Sequence, residues 1–325
     1  AAWMGAIQWR FGAGAGGERT RIWGYGFFLG YAFLGFVLLA QARLTGGVSW
    51  GVTMLTLAAA AVVGGWLARR AALARNPVGG PSGPTWASGF SVGPEGPPTR
   101  TAQLLTGVLL AWAALHLIRA LIDQLAIPVY PWDAWLLWVY RAKAWFFAGN
   151  IFEFYSAAEW LQMSDPGAYT VDAVHYPLLP SVFPLWAALS YGQWSETLVA
   201  LPTFLCGIAI GLALFGQCRR AGAGLLMAVV AVYMLYSVPL IGTHLALAGY
   251  ADIWMAGFAG LGFMGLMQWR LQRARLSLLV GLAFVALGVA IKSEGVVWLA
   301  AFLVLWFLYV SRWWVSLTIA AGLAL

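Results

Sequence analysis

Apolar residues in this chain come in long unbroken blocks, not in the alternation of a strand or the one-sided stripe of a soluble helix. About 20 mostly apolar residues are needed for a helix to cross the hydrocarbon core of a membrane. The blocks of that size are Ile22–Ala42, Val48–Ala68, Gln103–Ile122, Thr197–Gln217, Ala223–Thr243, Tyr250–Trp269, Ala274–Ile291 and Gly295–Ser311. A ninth begins near Trp313, and the sequence stops inside an apolar segment, Val315–Leu325, so the chain reads as a piece of something longer. The pattern predicts an all-α, polytopic transmembrane helical bundle. Residues 69–101 (NPVGGPSGP, then VGPEGPP) are rich in Gly, Pro and Ser and cannot build a core. They divide the sequence into a two-helix hairpin over 1–68, a flexible cytoplasmic linker over 69–101, and a larger module over 102–325 that carries most of the polar chemistry.

The block around His175-Tyr-Pro-Leu-Leu-Pro-Ser-Val-Phe-Pro breaks the pattern, with Pro177, Pro180 and Pro184 ahead of an apolar stretch that ends near Ser190. Whether it crosses sets the orientation of everything after it. With a cytoplasmic N-terminus and a segment that does not cross, 13 basic residues fall inside and 5 outside; if it crosses once, the split is 8 to 10. Short cytoplasmic loops carry the excess of Lys and Arg, so residues 176–192 are expected to form a short, broken or re-entrant element. Such backbone is tolerated where protein or a wet cavity covers it.

Composition agrees. Hydrophobic residues make up 62% and charged residues 9% of the 325, against about 25% charged in a soluble domain, which excludes a soluble globular fold. The net charge of +7 would suggest nucleic acid in a soluble chain, but here the Arg residues sit in short loops, where they orient helices. No nucleic-acid partner is expected; membrane lipids are. Cys206 and Cys218 lie twelve residues apart along one helix, roughly 18 Å, too far for a disulfide.

The same orientation sorts the acids. Glu18 and Glu95 fall inside, while Asp123, Asp133, Glu153, Glu159, Asp165, Asp172, Glu196, Asp252 and Glu294 all fall outside. Chemistry or binding is therefore expected on the outer face. The segment Tyr130-Pro-Trp-Asp-Ala-Trp-Leu-Leu-Trp-Val-Tyr-Arg-Ala-Lys-Ala-Trp follows a spanning helix directly. Pro131 and Asp133 suit a helix start. At 100° per residue, Tyr140 falls on the Asp133 face, with Arg141 and Lys143 flanking it and Trp135, Trp138 and Trp145 opposite. This predicts an amphipathic helix in the outer membrane interface. Its carboxylate, phenol and cations suit a lipid phosphate together with a general base or metal ligand. An N-cap Asp on a plain anchor helix is the competing explanation.

Asp252, after Gly249-Tyr250-Ala251, begins a long apolar helix on the same side; it is either a dipole-favoured first-turn acid or a functional one. Lys292-Ser-Glu294-Gly295 makes an outer turn, either a solvated local ion pair or part of a site. His175 stands before the Pro-rich element, at a place suited to metal or phosphate or simply to the interface. His116 lies within a span and is expected to be paired in the bundle, since burial there is costly. No GxxxxGK[ST], HExxH or GxSxG is present.

The order of these elements resembles the GT-C superfamily of polytopic glycosyltransferases, which use polyprenyl-phosphate sugars: a first-loop Asp among aromatics, an amphipathic helix, His175-Tyr-Pro-Leu-Leu-Pro180, Gly249-Tyr-Ala-Asp252 and Lys292-Ser-Glu-Gly295. The resemblance covers residues 103–325 and leans toward the bacterial protein-mannosyltransferase-like and aminoarabinose transferase-like groups. It implies that Asp133 is the catalytic acid that activates the acceptor or binds a divalent metal, and that Asp252 is a second acid of the site. It places His175 and Tyr176 near the carrier phosphate, matches Arg141 and Lys143 by general position, and matches Lys292 and Glu294 to a turn without assigning it a role. Many members have two acids in the first-loop motif, where Trp132-Asp133-Ala134-Trp135 has one.

The expected function is transfer of a sugar from a polyprenyl-phosphate donor to an acceptor at the extracytoplasmic side of a bacterial inner membrane. The site expected for it is Asp133 and Asp252, with Tyr140, Arg141, Lys143, His175, Tyr176, Lys292 and Glu294 binding substrate. The alternatives are a transporter or flippase of lipid-linked glycans, which broken helices and intramembrane charges also suit, and a non-catalytic subunit of a cell-envelope complex.

Overall fold

A computed structural model describes residues 18–73, 98–164, 167–310 and 322. Most of the linker and the segment from Trp313 lie outside these residues. Within them the chain is helical and contains no strand. The helices are α1 (Glu18–Thr45), α2 (Trp50–Leu73), α3 (Arg100–Ala126), α4 (Val139–Ala148), α5 (Ala157–Trp160), α6 (Leu179–Tyr191), α7 (Leu201–Arg220), α8 (Leu225–Ser237), α9 (Pro239–Ala246), α10 (Asp252–Gln272), α11 (Arg275–Val289) and α12 (Gly295–Val310). A π-helical turn, Ala134–Trp138, leads into α4, and a short 3₁₀ turn, Leu198–Ala200, into α7.

Among the described residues four helices are long and apolar enough to cross a membrane, and five if the bent pair α8 and α9 is one span. The block predicted as a single helix over Ala223–Thr243 is broken: α8 and α9 meet at 67°. Pro239 is the cause, since it has no N–H to donate and its ring clashes with the preceding turn. The Pro-rich element forms α6, whose 13 residues span about 20 Å, short of a membrane crossing. Its first turn lies beside Tyr176. Glu196 and Thr197, just after it, bond Lys143 and Gln124 at the same end of the bundle. The element thus starts and finishes at that end.

Although the linker separates it in sequence, α1 sits among the helices that follow the linker. Tyr25 donates a hydrogen bond to the Leu261 carbonyl at 3.1 Å and accepts one from Gln217 at 2.6 Å. Phe28 stacks edge-on with Trp254 and Phe258. A Cβ on Gly24 would stand 2.5 Å from the Ala209 carbonyl, so the absence of a side chain is what lets α1 and α7 touch. Where α10 crosses α11, a Cβ on Gly265 would meet the Gly281 Cα at 2.8 Å. Small residues at crossings replace the hydrophobic drive that lipid does not supply.

This packing sorts the charges. Gln217, near the end of α7 that carries Arg219 and Arg220, touches Tyr25 near the start of α1. The opposite end holds the start of α10, the α11–α12 turn and the C-terminus of α3, with the loop to Asp133.

Candidate functional site

The site forms where the α11–α12 turn folds back on the start of α10. Lys292 Nζ donates to Asp252 Oδ1 at 2.9 Å and lies 3.6 Å from Glu294 Oε1. The lysine side chain is 14% exposed, while Asp252 and Glu294 are 43% and 48% exposed. The ammonium is thus enclosed, and the carboxylates remain reachable. Burial alone would lower the Lys292 pKa. The hydrogen bond that Lys292 donates to Asp252 and the charges of Asp252 and Glu294 outweigh it, so the pKa is raised and the group stays cationic.

Tyr176 closes one side. Its hydroxyl bonds Glu294 Oε1 at 3.3 Å, and its ring lies 6.0 Å from Lys292 Nζ. Exposed His175 stacks on it at 4.9 Å. Arg141 holds Tyr176 in place from below. Its guanidinium donates to the carbonyls of Ala173 at 2.8 Å and Tyr176 at 3.1 Å, fastening the loop from beneath. At 1% exposure Arg141 is buried and faces no solvent, which corrects its expected place beside the polar face. It lies three residues after Trp138 and four before Trp145, so the face that buries those two indoles takes it in. Burial lowers its pKa to about 10, still fully cationic at neutral pH.

Asp133 comes toward the cluster through the loop before α10. Gly249 has φ +131, and a Cβ there would lie 2.7 Å from that of Ala134. The missing side chain lets the loop before α10 rest on the first residue of the π turn. Burial, then Asp133, then Asp252 raise the Tyr250 pKa, while a hydrogen bond from the Trp132 backbone opposes them. Both carboxylates are therefore within electrostatic range of one phenol. Asp133 stands at the N-cap position and its side chain makes no capping bond, which leaves the carboxylate available. The π turn beside it is a geometry that recurs at functional sites.

Two expected members lie elsewhere. Lys143 pairs with Glu196 and stands over Trp194. Tyr140 packs on Phe154. Among the described residues no three His, Cys, Asp or Glu side chains gather as a metal-ligand set. Sequence reasoning missed that the loop before α10 rests on Ala134, beside Asp133. It also missed that His116 is unpaired: the buried Nε2 of His116 has no hydrogen-bond partner. The signal was present, because Trp112, His116, Arg119 and Asp123 make a polar and aromatic stripe along an otherwise apolar helix.

Compared with models of known families, with curated proteins and with solved structures, the chain finds no match.

Proposed function

We propose that this protein is a glycosyltransferase of GT-C type that moves a sugar from a polyprenyl-phosphate donor to an acceptor on the extracytoplasmic side of a bacterial inner membrane. One observation carries the reading: the loop before α10 rests on Ala134, next to Asp133, and three residues further on Asp252 holds the cation Lys292, so two acids far apart in sequence come to one end of the bundle. In this reading the Arg-rich end is cytoplasmic, and α4 lies in the outer interface with Trp135 and Phe147 exposed toward lipid.

The chemistry needs a base for the acceptor hydroxyl and positive charge for the departing phosphate. The Asp133 carboxylate takes the acceptor proton as the acceptor oxygen bonds the anomeric carbon. The bond from that carbon to the phosphate oxygen breaks, and the lipid phosphate leaves with the electron pair. Lys292 and His175 are the positive and polar groups on that side, and Asp252 keeps Lys292 protonated and aimed. Lys292 occupies Asp252 Oδ1, so Asp133 and Asp252 Oδ2 are the oxygens that would hold a divalent ion. Magnesium takes one or two carboxylates together with water and substrate phosphate, and when bound it would neutralise the leaving group. Arg141 acts through Tyr176 and is a positioning residue.

The test is transfer from radiolabelled polyprenyl-phosphate sugar in membranes containing the chain. Asp133→Asn, with unchanged expression and melting temperature, is expected to reduce transfer by about 10²-fold or more, as loss of a general base does. Retained transfer would remove Asp133 from the role assigned to it.

A further inference from the structure

The hairpin of α10 and α11 has two ends of opposite character. At one end Asp252 holds Lys292, with Glu294 beside them. At the other, Arg270, Arg273 and Arg275 crowd into the turn between the helices, and all three are exposed. No Asp or Glu occurs in the sequence between Asp252 and Glu294. Among the described residues none of the three guanidinium groups enters an ion pair. By contrast Lys143, Lys292 and Arg119, toward the other end, each have a carboxylate. Two of the arginines are placed by aromatic rings: Arg270 Cζ lies 5.9 Å from the centre of Tyr309, and Arg273 Cζ 5.3 Å from that of Trp269. A ring offsets part of the charge but offers no oxygen to the N–H donors. Arg275 opens α11, where the helix dipole adds positive potential instead of opposing it. An anion over this turn would be drawn by three guanidinium groups and by a helix N-terminus.

The apolar neighbours decide what kind of anion fits. Met267 and Leu271, four residues apart, make an exposed stripe on α10, and Arg270 stands three residues after Met267. On α11, exposed Leu279 stands four residues after Arg275. Residues three and four apart share a helix face. Each helix therefore presents bare aliphatic side chains and then, at its end, a guanidinium. That is the order of acyl chain and phosphate along a phospholipid. A soluble phosphate makes no use of the aliphatic part. The chain's two lysines, Lys143 and Lys292, both lie at the other end of the bundle, so every cation of the turn is an arginine. The planar guanidinium fork matches two phosphate oxygens at once, which an ammonium does not.

We propose that the α10–α11 turn is a headgroup site for an anionic phospholipid. The phosphodiester lies among Arg270, Arg273 and Arg275, and the acyl chains run over Met267 and Leu271 or over Leu279. Basic clusters at the cytoplasmic ends of membrane helices are where anionic headgroups collect. The inference goes beyond the proposed function and uses none of its residues.

The experiment uses the full chain in phosphatidylcholine nanodiscs doped with a phosphatidylglycerol that carries a diazirine beside its headgroup, and maps the cross-links by mass spectrometry. Labelling is expected to concentrate within residues 267–279 and 305–310 and to be displaced by unlabelled phosphatidylglycerol. A basic residue near an anionic lipid surface is worth about fivefold in affinity. Arg270→Gln, Arg273→Gln and Arg275→Gln are each expected to reduce labelling at the turn about fivefold, and the three together about 100-fold. All three side chains are exposed, so the melting temperature in phosphatidylcholine alone should not move; if the triple variant melts early, the single variants decide. Arg43→Gln, exposed at the far end of α1, is expected to leave labelling as it was. Inorganic phosphate is expected not to displace the lipid; displacement as complete as by phosphatidylglycerol would assign the turn to soluble anions and sink the lipid site. Labelling unchanged in the single variants, or no denser at the turn than along residues 296–304, overturns the proposal and leaves the arginines only to orient the helices.

Discussion

The two helices of the N-terminal hairpin look alike as sequence, and the fold uses them differently. Both pass as membrane spans by length and composition, yet 44% of the α1 span is buried in protein and 11% of the α2 span. Gly24, Tyr25 and Phe28 carry the difference: a glycine at the α7 crossing, a phenol with two buried hydrogen bonds, and an aromatic ring set among four others. On α2, Leu55, Val62, Val63 and Trp66 point outward. Thr53 anchors α2 by donating to the Gln41 side chain of α1 at 3.0 Å. In lipid an apolar surface gains little by meeting another apolar surface, so close backbone approach and buried hydrogen bonds decide which helix belongs to the core.

The largest expected effect breaks the contrast directly. Gly24→Leu places a side chain where the Ala209 carbonyl and the Ala213 Cβ already stand. It should lower stability by about 3 kcal/mol or more, read as a fall in melting temperature in detergent. Val62→Leu on the exposed face of α2 should stay within about 0.5 kcal/mol of the parent; equal losses from the two changes would erase the distinction between the helices.

A smaller effect sharpens the contrast. Thr53→Val keeps the shape of α2 but removes the donor to Gln41, which is itself 8% exposed. A loss of about 1–2 kcal/mol is expected, with α2 becoming more sensitive to protease than α1. If Thr53→Val has no effect on either measurement, the hydrogen bond does not hold the hairpin together.

The smallest effect extends the comparison between enclosed and open groups to the site. The Lys292 pKa is raised in the folded chain, so its contribution to stability is fully present below the ordinary lysine value of about 10.4. That contribution is lost as pH climbs through the raised value. The difference in melting temperature between the parent and Lys292→Met should therefore be constant from pH 7 to about 10 and shrink above that. A difference that instead grows in alkali would mean that Lys292 is not stabilised by its acids.

Much of this was legible in the pattern of apolar blocks. Within the described residues seven of the eight expected blocks coincide with helix, or nearly so, but as spans the expectation holds for four of them, or five with the bent pair: the helices over Tyr250–Trp269, Ala274–Ile291 and Gly295–Ser311 are too short or too weakly apolar to pass as crossings. The exception, at Pro239, was readable too, but average hydropathy does not register one proline. The charged end and the Arg-rich end followed from loop composition, and the short Pro-rich α6 followed from counting Arg on each side. Arg141 shows where such reading stops: a helical wheel puts it at the edge of a polar face, and the packing of Trp138 and Trp145 pulled it inside. His116 shows the same limit in reverse, since a polar residue in a span is expected to find a partner and here the Nε2 is buried against Gly242 without one.

By itself the sequence determined that this is a helical membrane protein, where its helices run, and which polar residues gather toward one end, because length, hydropathy and loop charge are local or additive properties. Tertiary structure alone decided that α1 lies in the core and α2 outside it. It also decided that the loop before α10 comes to rest on Ala134 beside Asp133, that Lys292 pairs with Asp252 while Lys143 turns to Glu196, and that α3 leaves a groove beside α8 and α9. Those outcomes depend on which helices touch at which residue, and in a lipid-facing bundle that is set by small residues, bends and single hydrogen bonds, whose partners are far away in the chain.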